Sequence, residues 1–578
     1  MFGSLSLRQR GAEPLATAVR ECRSHLVAAA VFSALVNVLY LTPTLYMMQV
    51  YDRVVPTGGL TTLVLISAAA LLALASLAGL DWLRGRILAR AGLSLDRALT
   101  RPILSRVVES DGGTPSAQSL REFDSVRAAV GGQGMMALMD APWTPIYLVC
   151  CFLLHWSIGA LTLIGGSVLV LLAWLNERDS RPRLNRAHRA SASAYSAQEA
   201  IAAQAEVVRA LGMRTASIER QARQREAAVD HQFDAQLTGG KYSAAIKFIR
   251  LALQSAALGT AAVLVVKGQI SAGSIIASSV LLSRAVSPIE QLVGSWPTLV
   301  QARTSWAGLI DLFVRTADVD RVRTALPPPK GRVQLENGVV RHAGASAPQL
   351  KAVSLRVEPG ETLAVIGPSG SGKTTLARVL AGAIRPTAGT ARLDGADYEA
   401  WSSDILARHI GYLPQNPSLF AGTIRDNIAR FSGADQERHA VDASVVDAAK
   451  AAGAHDMILR LPEGYDTELG PFGAGVSAGQ AQRVALARAL FGDPALIVLD
   501  EPNSNLDQEG EAALTASLRG VAARGAAVVI VAHRAGVLAG VDRLLVMRDG
   551  AVHLDGPREE VLAKVRGVSI PTSIRGAA

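Results

Sequence analysis

The chain has 578 residues, too many for one hydrophobic core, so two or three domains are expected. Its mean hydropathy is +0.26 with only 19% charged residues, a balance foreign to an ordinary soluble enzyme and normal for a protein half embedded in lipid. The net charge of +9 sits mostly beside apolar segments, which argues for a lipid bilayer as partner and against nucleic acid. Three cysteines, two of them adjacent in an apolar run, exclude a disulfide framework and a cysteine metal site.

Residues 1–25 form a short polar segment carrying Arg8, Arg10, Arg20 and Arg23, with no signal-peptide cleavage pattern. Leu26 to Met47 is then apolar enough to cross a bilayer, and Leu60 to Leu80 returns after a short loop. An arginine-studded stretch follows. Trp143 to Trp156 and Ile158 to Leu175 read as a hairpin hinged at His155–Gly159. A second basic stretch, Arg178 to Lys247, precedes Phe248 to Val266 and Ile275 to Val293, so residues 26–316 read as a membrane domain of about six spans. The long Arg-rich loops lie on one side with the N-terminus, which places both termini in the cytoplasm. Their helical periodicity, as in Leu80–Leu104 and Ala190–Val229, predicts that the spanning helices continue beyond the membrane. Pro43, Pro142, Pro145 and Pro288 are candidate kinks. Arg284 is expected either to pair or line a pathway inside the last span, or to snorkel towards its end. Leu120–Val126 and Ala205–Met213 read as short cytoplasmic helices able to dock on a second domain.

Composition changes over a linker, residues 317–331, where Leu326-Pro-Pro-Pro-Lys-Gly331 is extended. Beyond it, short strands alternate with helices over 332–565, an α/β pattern, followed by a tail at 566–578. The apolar strand Leu363–Ile366 runs into a turn, Gly367-Pro368-Ser369-Gly370-Ser371-Gly372-Lys373-Thr374, and then into a helix; these turn residues and Thr375 are the candidate nucleotide contacts. This is the phosphate-loop pattern in its required strand–loop–helix context. Its glycines let backbone N–H groups curl round an anion, and the helix dipole points at the same place. Lys373 reaches the β- and γ-phosphates of ATP, and the Thr374 hydroxyl ligates Mg²⁺. Leu496 to Glu501 reads as a buried strand ending in two acids. Asp500 is assigned to Mg²⁺ through water, and Glu501 to polarising the water that attacks the γ-phosphate. Gln415 is a further candidate contact to Mg²⁺ or water, and His533, after the strand Val528–Ala532, a candidate γ-phosphate donor. Ser477 and the N–H of Gly479 open another helix. That is a second anion site with no phosphate left to bind in its own subunit, so it is expected to serve ATP held by a second copy of the chain.

In order, the phosphate loop, Gln415, Ser477-Ala-Gly-Gln480, Asp500-Glu501, Ser504-Asn-Leu-Asp507 and His533 resemble the motif series of ATP-binding-cassette (ABC) proteins. With the six-span domain in front, the chain resembles an ABC exporter half-transporter. Leu499-Asp-Glu-Pro-Asn-Ser-Asn-Leu-Asp507, the Leu41–Val54 stretch, Asp140-Ala-Pro-Trp-Thr-Pro145 and Gly422-Thr-Ile-Arg-Asp-Asn427 resemble the type I secretion branch that exports proteases and haem-binding proteins. The resemblance implies an α-helical six-span membrane domain fused to an α/β P-loop nucleotide-binding domain, working as a homodimer in the bacterial inner membrane. It implies an unfolded polypeptide substrate with a C-terminal signal, a periplasmic membrane-fusion adaptor and an outer-membrane channel as partners. Gln480 and Asp507 join the nucleotide contacts on that basis. The stacking tyrosine of the family is missing, and His342 is the nearest match; Ala478 replaces a signature glycine. With no peptidase segment ahead of the first span, a processing exporter is disfavoured. An exporter of lipids or small amphiphiles is the alternative reading.

Overall fold

The computed structural model describes residues 11–109, 116–317, 323, 326–341, 347–432, 438–504, 508–532, 538 and 540–567. The chain forms two compact units, Met1–Arg321 and Val322–Ala578.

The first unit is helical. Its elements are α1 (Glu13–Glu21), α2 (Arg23–Leu39), α3 (Thr42–Gln49), α4 (Leu60–Glu109), α5 (Ser116–Gly131), α6 (Gln133–Asp140), α7 (Thr144–Leu154), α8 (Trp156–Ala203), α9 (Ala205–Ala210), α10 (Arg214–Val266), α11 (Gly273–Gly294) and α12 (Trp296–Arg315). Among the described residues, five helical runs are long and apolar enough to cross a membrane: Glu13–Thr57, Leu60–Glu109, Gln133–Leu154, Trp156–Ala203 and Arg214–Val266. The sixth expected span is α11, a continuous helix whose Arg284, Glu290 and serines keep its hydropathy lower. It tolerates them because it lies inside the unit, packed on α3, α6, α7, α8 and α10 with Ala277, Ser278, Leu282 and Ala285 buried. The Arg284 guanidinium lies 3.7 Å from the Tyr40 ring centre, a cation–π pair.

Three details differ from the sequence reading. The third span starts ten residues upstream of Trp143, because Gln133–Asp140 is helical although Gly134 and Asp140 dilute its apolar character. The first run breaks between α2 and α3 and then passes through a π-helical turn, Val50–Val54. Pro43 and Pro145 sit in the first turns of α3 and α7 and Pro142 in a 3₁₀ turn, so they start helices instead of kinking them; Pro288 alone of the four lies inside one. The polar extensions of the spans beyond their apolar stretches are helical as expected, in α4, α8 and α10.

A buried polar cluster ties the early helices together. Asp140 accepts from Asn37 Nδ2 at 2.8 Å, from Arg84 Nη1 at 2.7 Å and from the Ser33 hydroxyl. Arg84 also pairs with Asp81 at 2.7 Å, and the Tyr147 hydroxyl donates to the Asn37 carbonyl at 2.7 Å. Arg84 is only 4% exposed, so losing Asp140 leaves a buried cation with the half-exposed Asp81 as its remaining carboxylate among the described contacts. Asp140→Ala is expected to destabilise the membrane unit by about 3–5 kcal/mol, read as a lower thermal midpoint in detergent. Removal of both charges in Arg84→Met/Asp140→Leu is expected to recover much of that loss.

The second unit is built on a sheet ordered β12-β11-β3-β10-β9-β6. Its strands are β3 (Thr362–Ile366), β6 (Ile410–Leu413), β9 (Leu496–Asp500), β10 (Ala527–Val531), β11 (Arg543–Arg548) and β12 (Ala551–Pro557), parallel except for β12. An antiparallel sheet holds β1 (Val333–Val340), β2 (Leu350–Val357), β4 (Ala388–Leu393) and β5 (Ala396–Asp397), and a short ribbon pairs β7 (Gly422–Thr423) with β8 (Glu468–Leu469). Both faces of the parallel sheet are covered, which is why its strands read as unbroken apolar runs. Alternate residues point to opposite faces. Ala364, Ile366, Ile497, Leu499, Val528 and Ile530 pack on helices of one face, and Leu363, Val365, Leu496, Val498, Val529 and Val531 join a second cluster with the helix that follows the phosphate loop and the antiparallel layer.

Candidate nucleotide site

Ligands of open parallel sheets bind beyond the carboxyl ends of the strands, and the phosphate loop, the acid pair and Gln415 follow strands at that end. The phosphate loop leaves β3, the acid pair leaves β9, and β10 lies between, with Val531 paired to both Val365 and Asp500. β6 is the outer neighbour of β9, with Leu413 opposite Leu499, so Gln415 leaves the sheet at the same end and is exposed.

Glycine is required at two points of the loop. A Cβ on Gly367 would stand 2.3 Å from the Met547 carbonyl oxygen, and one on Gly372, at φ 96°, 2.8 Å from that of Gln349. Helix α13 (Lys373–Leu380) starts directly after Gly372. Lys373 is buried, and its Nζ donates to the carbonyls of Gly367 and Pro368, each at 2.9 Å. Burial pushes its ammonium below the usual lysine range, while Glu501 and Asp500 pull it back up. The Ser371 hydroxyl is buried without a hydrogen-bond partner, and Thr375 donates to the Gln349 side chain at 3.2 Å.

Asp500 is 1% exposed, and among the described residues no donor reaches either carboxylate oxygen with hydrogen-bond geometry. Burial therefore pushes its carboxyl above the ordinary range. The nearby Thr374 hydroxyl and Lys373 ease that cost, and Glu501 adds to it. An unpartnered buried carboxylate beside a threonine hydroxyl is an oxygen donor set suited to a hard divalent cation. Glu501 has a left-handed backbone, φ 52°. Its N–H donates to the Val531 carbonyl at 3.0 Å, and its own carbonyl accepts from the N–H of Ser504 at 3.2 Å. Strain of this kind at a strand end is characteristic of functional turns.

Ser477 caps α14 (Ala478–Leu490) in a reciprocal box. Its hydroxyl accepts from the Gln480 N–H at 3.3 Å, and the Gln480 side chain accepts from the Ser477 N–H at 2.8 Å. The described hydrogen bonds of Ser477 stay within this helix start, and Ser477 and Ala478 are exposed. The sequence reading missed Gln482, the second glutamine of that helix. It is buried, and its side chain donates to the carbonyls of Glu501 and Pro502, fastening the helix to the acid turn. His342, Asp507 and His533 lie outside the described residues.

A strand-borne phosphate loop, an acid pair two strands away and a capped Ser-x-Gly-Gln helix define an ATP-binding cassette, here in one chain with a bundle of membrane helices. Family models agree: residues 350–504 match "ABC transporter" and residues 26–289 match "ABC transporter transmembrane region". The type I secretion system ATP-binding protein PrsD of Rhizobium meliloti is 43% identical over 564 residues, 96% of this chain and 95% of that one. The cyclolysin secretion/processing ATP-binding protein CyaB of Bordetella pertussis is 29% identical over 93% of this chain and 76% of that one. The chain belongs to the type I secretion ATP-binding proteins of the ABC transporter family. In fold it is similar to a bacterial Atm1-family ABC exporter with ATP bound, at a TM-score of 0.81 and 24% identity over 94% of this chain and 97% of that one. It is a multi-pass membrane protein that binds ATP and couples its hydrolysis to transport.

Proposed function

We infer that the chain is the homodimeric energy-supplying component of a type I secretion system, exporting an unfolded polypeptide across the bacterial inner membrane with both termini in the cytoplasm. The observation that carries this is the pairing of a complete phosphate loop and acid turn with an exposed, capped signature helix start whose described Ser477 and Gln480 hydrogen bonds stay within that helix. A second copy supplies the missing partner. The phosphate loop holds ATP through its N–H groups and Lys373, and Ser477, Gly479 and Gln480 of the other copy close on the γ-phosphate. Thr374, Asp500 and Gln415 are the residues that would hold Mg²⁺, which neutralises charge on the phosphate oxygens when bound. Glu501 orients the attacking water and accepts its proton. Asp507, His533 and His342 complete the nucleotide contacts in this reading. Closure follows from ATP because its phosphates bind the closed pair better than the open one. The Arg-rich helical extensions, all on one side of the spans, support the orientation.

The polypeptide substrate carries its signal at the C-terminus, and a periplasmic adaptor and an outer-membrane channel continue the route. Deleting the chain from its cell and comparing secreted and retained proteins by mass spectrometry tests this. One or a few secreted polypeptides are expected to accumulate inside with intact C-termini. An unchanged set of secreted proteins with altered lipids in the outer leaflet would favour the lipid-exporter alternative.

A further inference from the structure

Three parts of the membrane unit converge on the last turn of α12, the helix from which the chain leaves that unit. Arg106, near the end of α4, is 1% exposed, a rare condition for a guanidinium. Its Nη1 donates to the carbonyls of Phe313 at 3.1 Å and Thr316 at 2.8 Å and to the Thr316 hydroxyl at 3.1 Å. The guanidinium also lies 4.2 Å from the Phe313 ring centre. Those carbonyls belong to the negative end of α12, where the last C=O groups of a helix lack partners within it. A cation from another helix therefore takes the place of a C-cap. Gly11 packs on the same turn so closely that a Cβ there would stand 2.5 Å from the Phe313 carbonyl oxygen, and Leu15, Ile103, Phe123 and Leu309 form the apolar floor.

The geometry points to Arg106 as a positioning residue for transport: it clamps the exit turn of α12 to α4, so that movement delivered through the covalent connection from the ATPase unit reaches the second span. The inference rests on the coupled transport cycle described above. α4 makes this mechanically reasonable. It is one helix from Leu60 to Glu109, about 75 Å at 1.5 Å per residue, with the clamp at its basic end and an apolar span at the other. A buried guanidinium whose Nη1 reaches two carbonyls and a hydroxyl while its plane lies over the Phe313 ring resists both sliding and rotation of one helix past the other. Lysine keeps the charge but lacks the planar guanidinium that lies over the Phe313 ring, and would hold the turn less well.

The test uses the full-length chain with its native cysteines replaced by alanine and a spin label at Leu60→Cys, an exposed position at the far end of α4. ATP-driven change in the label-to-label distance is compared in the parent and in Arg106→Gln, Arg106→Lys and Thr316→Val, alongside kcat and KM for ATP and thermal unfolding. The expected result is retained basal hydrolysis with unchanged KM, and a ratio of displaced to undisplaced label reduced by about three- to thirtyfold in Arg106→Gln. Arg106→Lys should lie in between, and Thr316→Val should show the smaller loss of one acceptor. If Arg106→Gln fails to fold, Thr316→Val decides. Full displacement in the variants, or displacement and hydrolysis falling together in step with stability, overturns the inference. Absence of ATP-driven displacement in the parent overturns the transport cycle itself, and the clamp with it.

Discussion

Replacing Glu501 by glutamine slows ATP hydrolysis by about 10²–10⁴-fold, the usual contribution of a positioned general base, while nucleotide still binds. Glutamine has nearly the same shape, and the turn that presents residue 501 is held by backbone groups: its N–H on Val531, and its carbonyl bonded by Ser504 and Gln482. The fold is therefore expected to survive the exchange, with only the proposed proton acceptor lost. With binding intact and hydrolysis stalled, the closed two-chain state should accumulate. Turnover measured under saturating ATP, together with retention of nucleotide by the dimer on gel filtration, checks this. Unchanged turnover would place the base elsewhere.

How much of this could be read from the residues depended on how local the cause was. The phosphate loop and β9 were plain, because glycine placement and unbroken apolar runs follow from a single strand packed on both faces. The spans were plain where lipid faces most of the helix, as along α4, where Leu65, Leu71 and Leu72 are exposed. The register blurred where helices pack on one another. Gln133–Asp140 hides Gly134 and Asp140 against neighbours, so their polarity does not end the helix as it would in lipid. Gln482, the Asp140 cluster and Arg106 were out of reach for a different reason. Their partners lie 19, 56 and 210 residues away in sequence, and no local pattern announces a long-range bond.

The second large effect concerns the shared pocket. Lys373→Met removes the phosphate-loop cation from a chain's own ATP, and Ser477→Arg blocks the helix end that it offers to its partner. Each is expected to cost about 10²–10³-fold in hydrolysis, as loss of one charge-stabilising donor does. Neither should unfold the cassette. Lys373 bonds only to loop carbonyls among its described contacts, and Ser477 is exposed, with a cap worth about 1 kcal/mol. The two lesions differ in one respect: each spoils a different half of every pocket.

Mixing the two inactive chains, one Lys373→Met and the other Ser477→Arg, and measuring ATP turnover of the reassembled protein tests the shared pocket most directly. Half of the random dimers are mixed, and each mixed dimer regains one intact pocket of two, so up to about a quarter of parental turnover should return. No recovery on mixing, or full turnover by the Ser477→Arg chain alone, would mean that each copy hydrolyses ATP without the other.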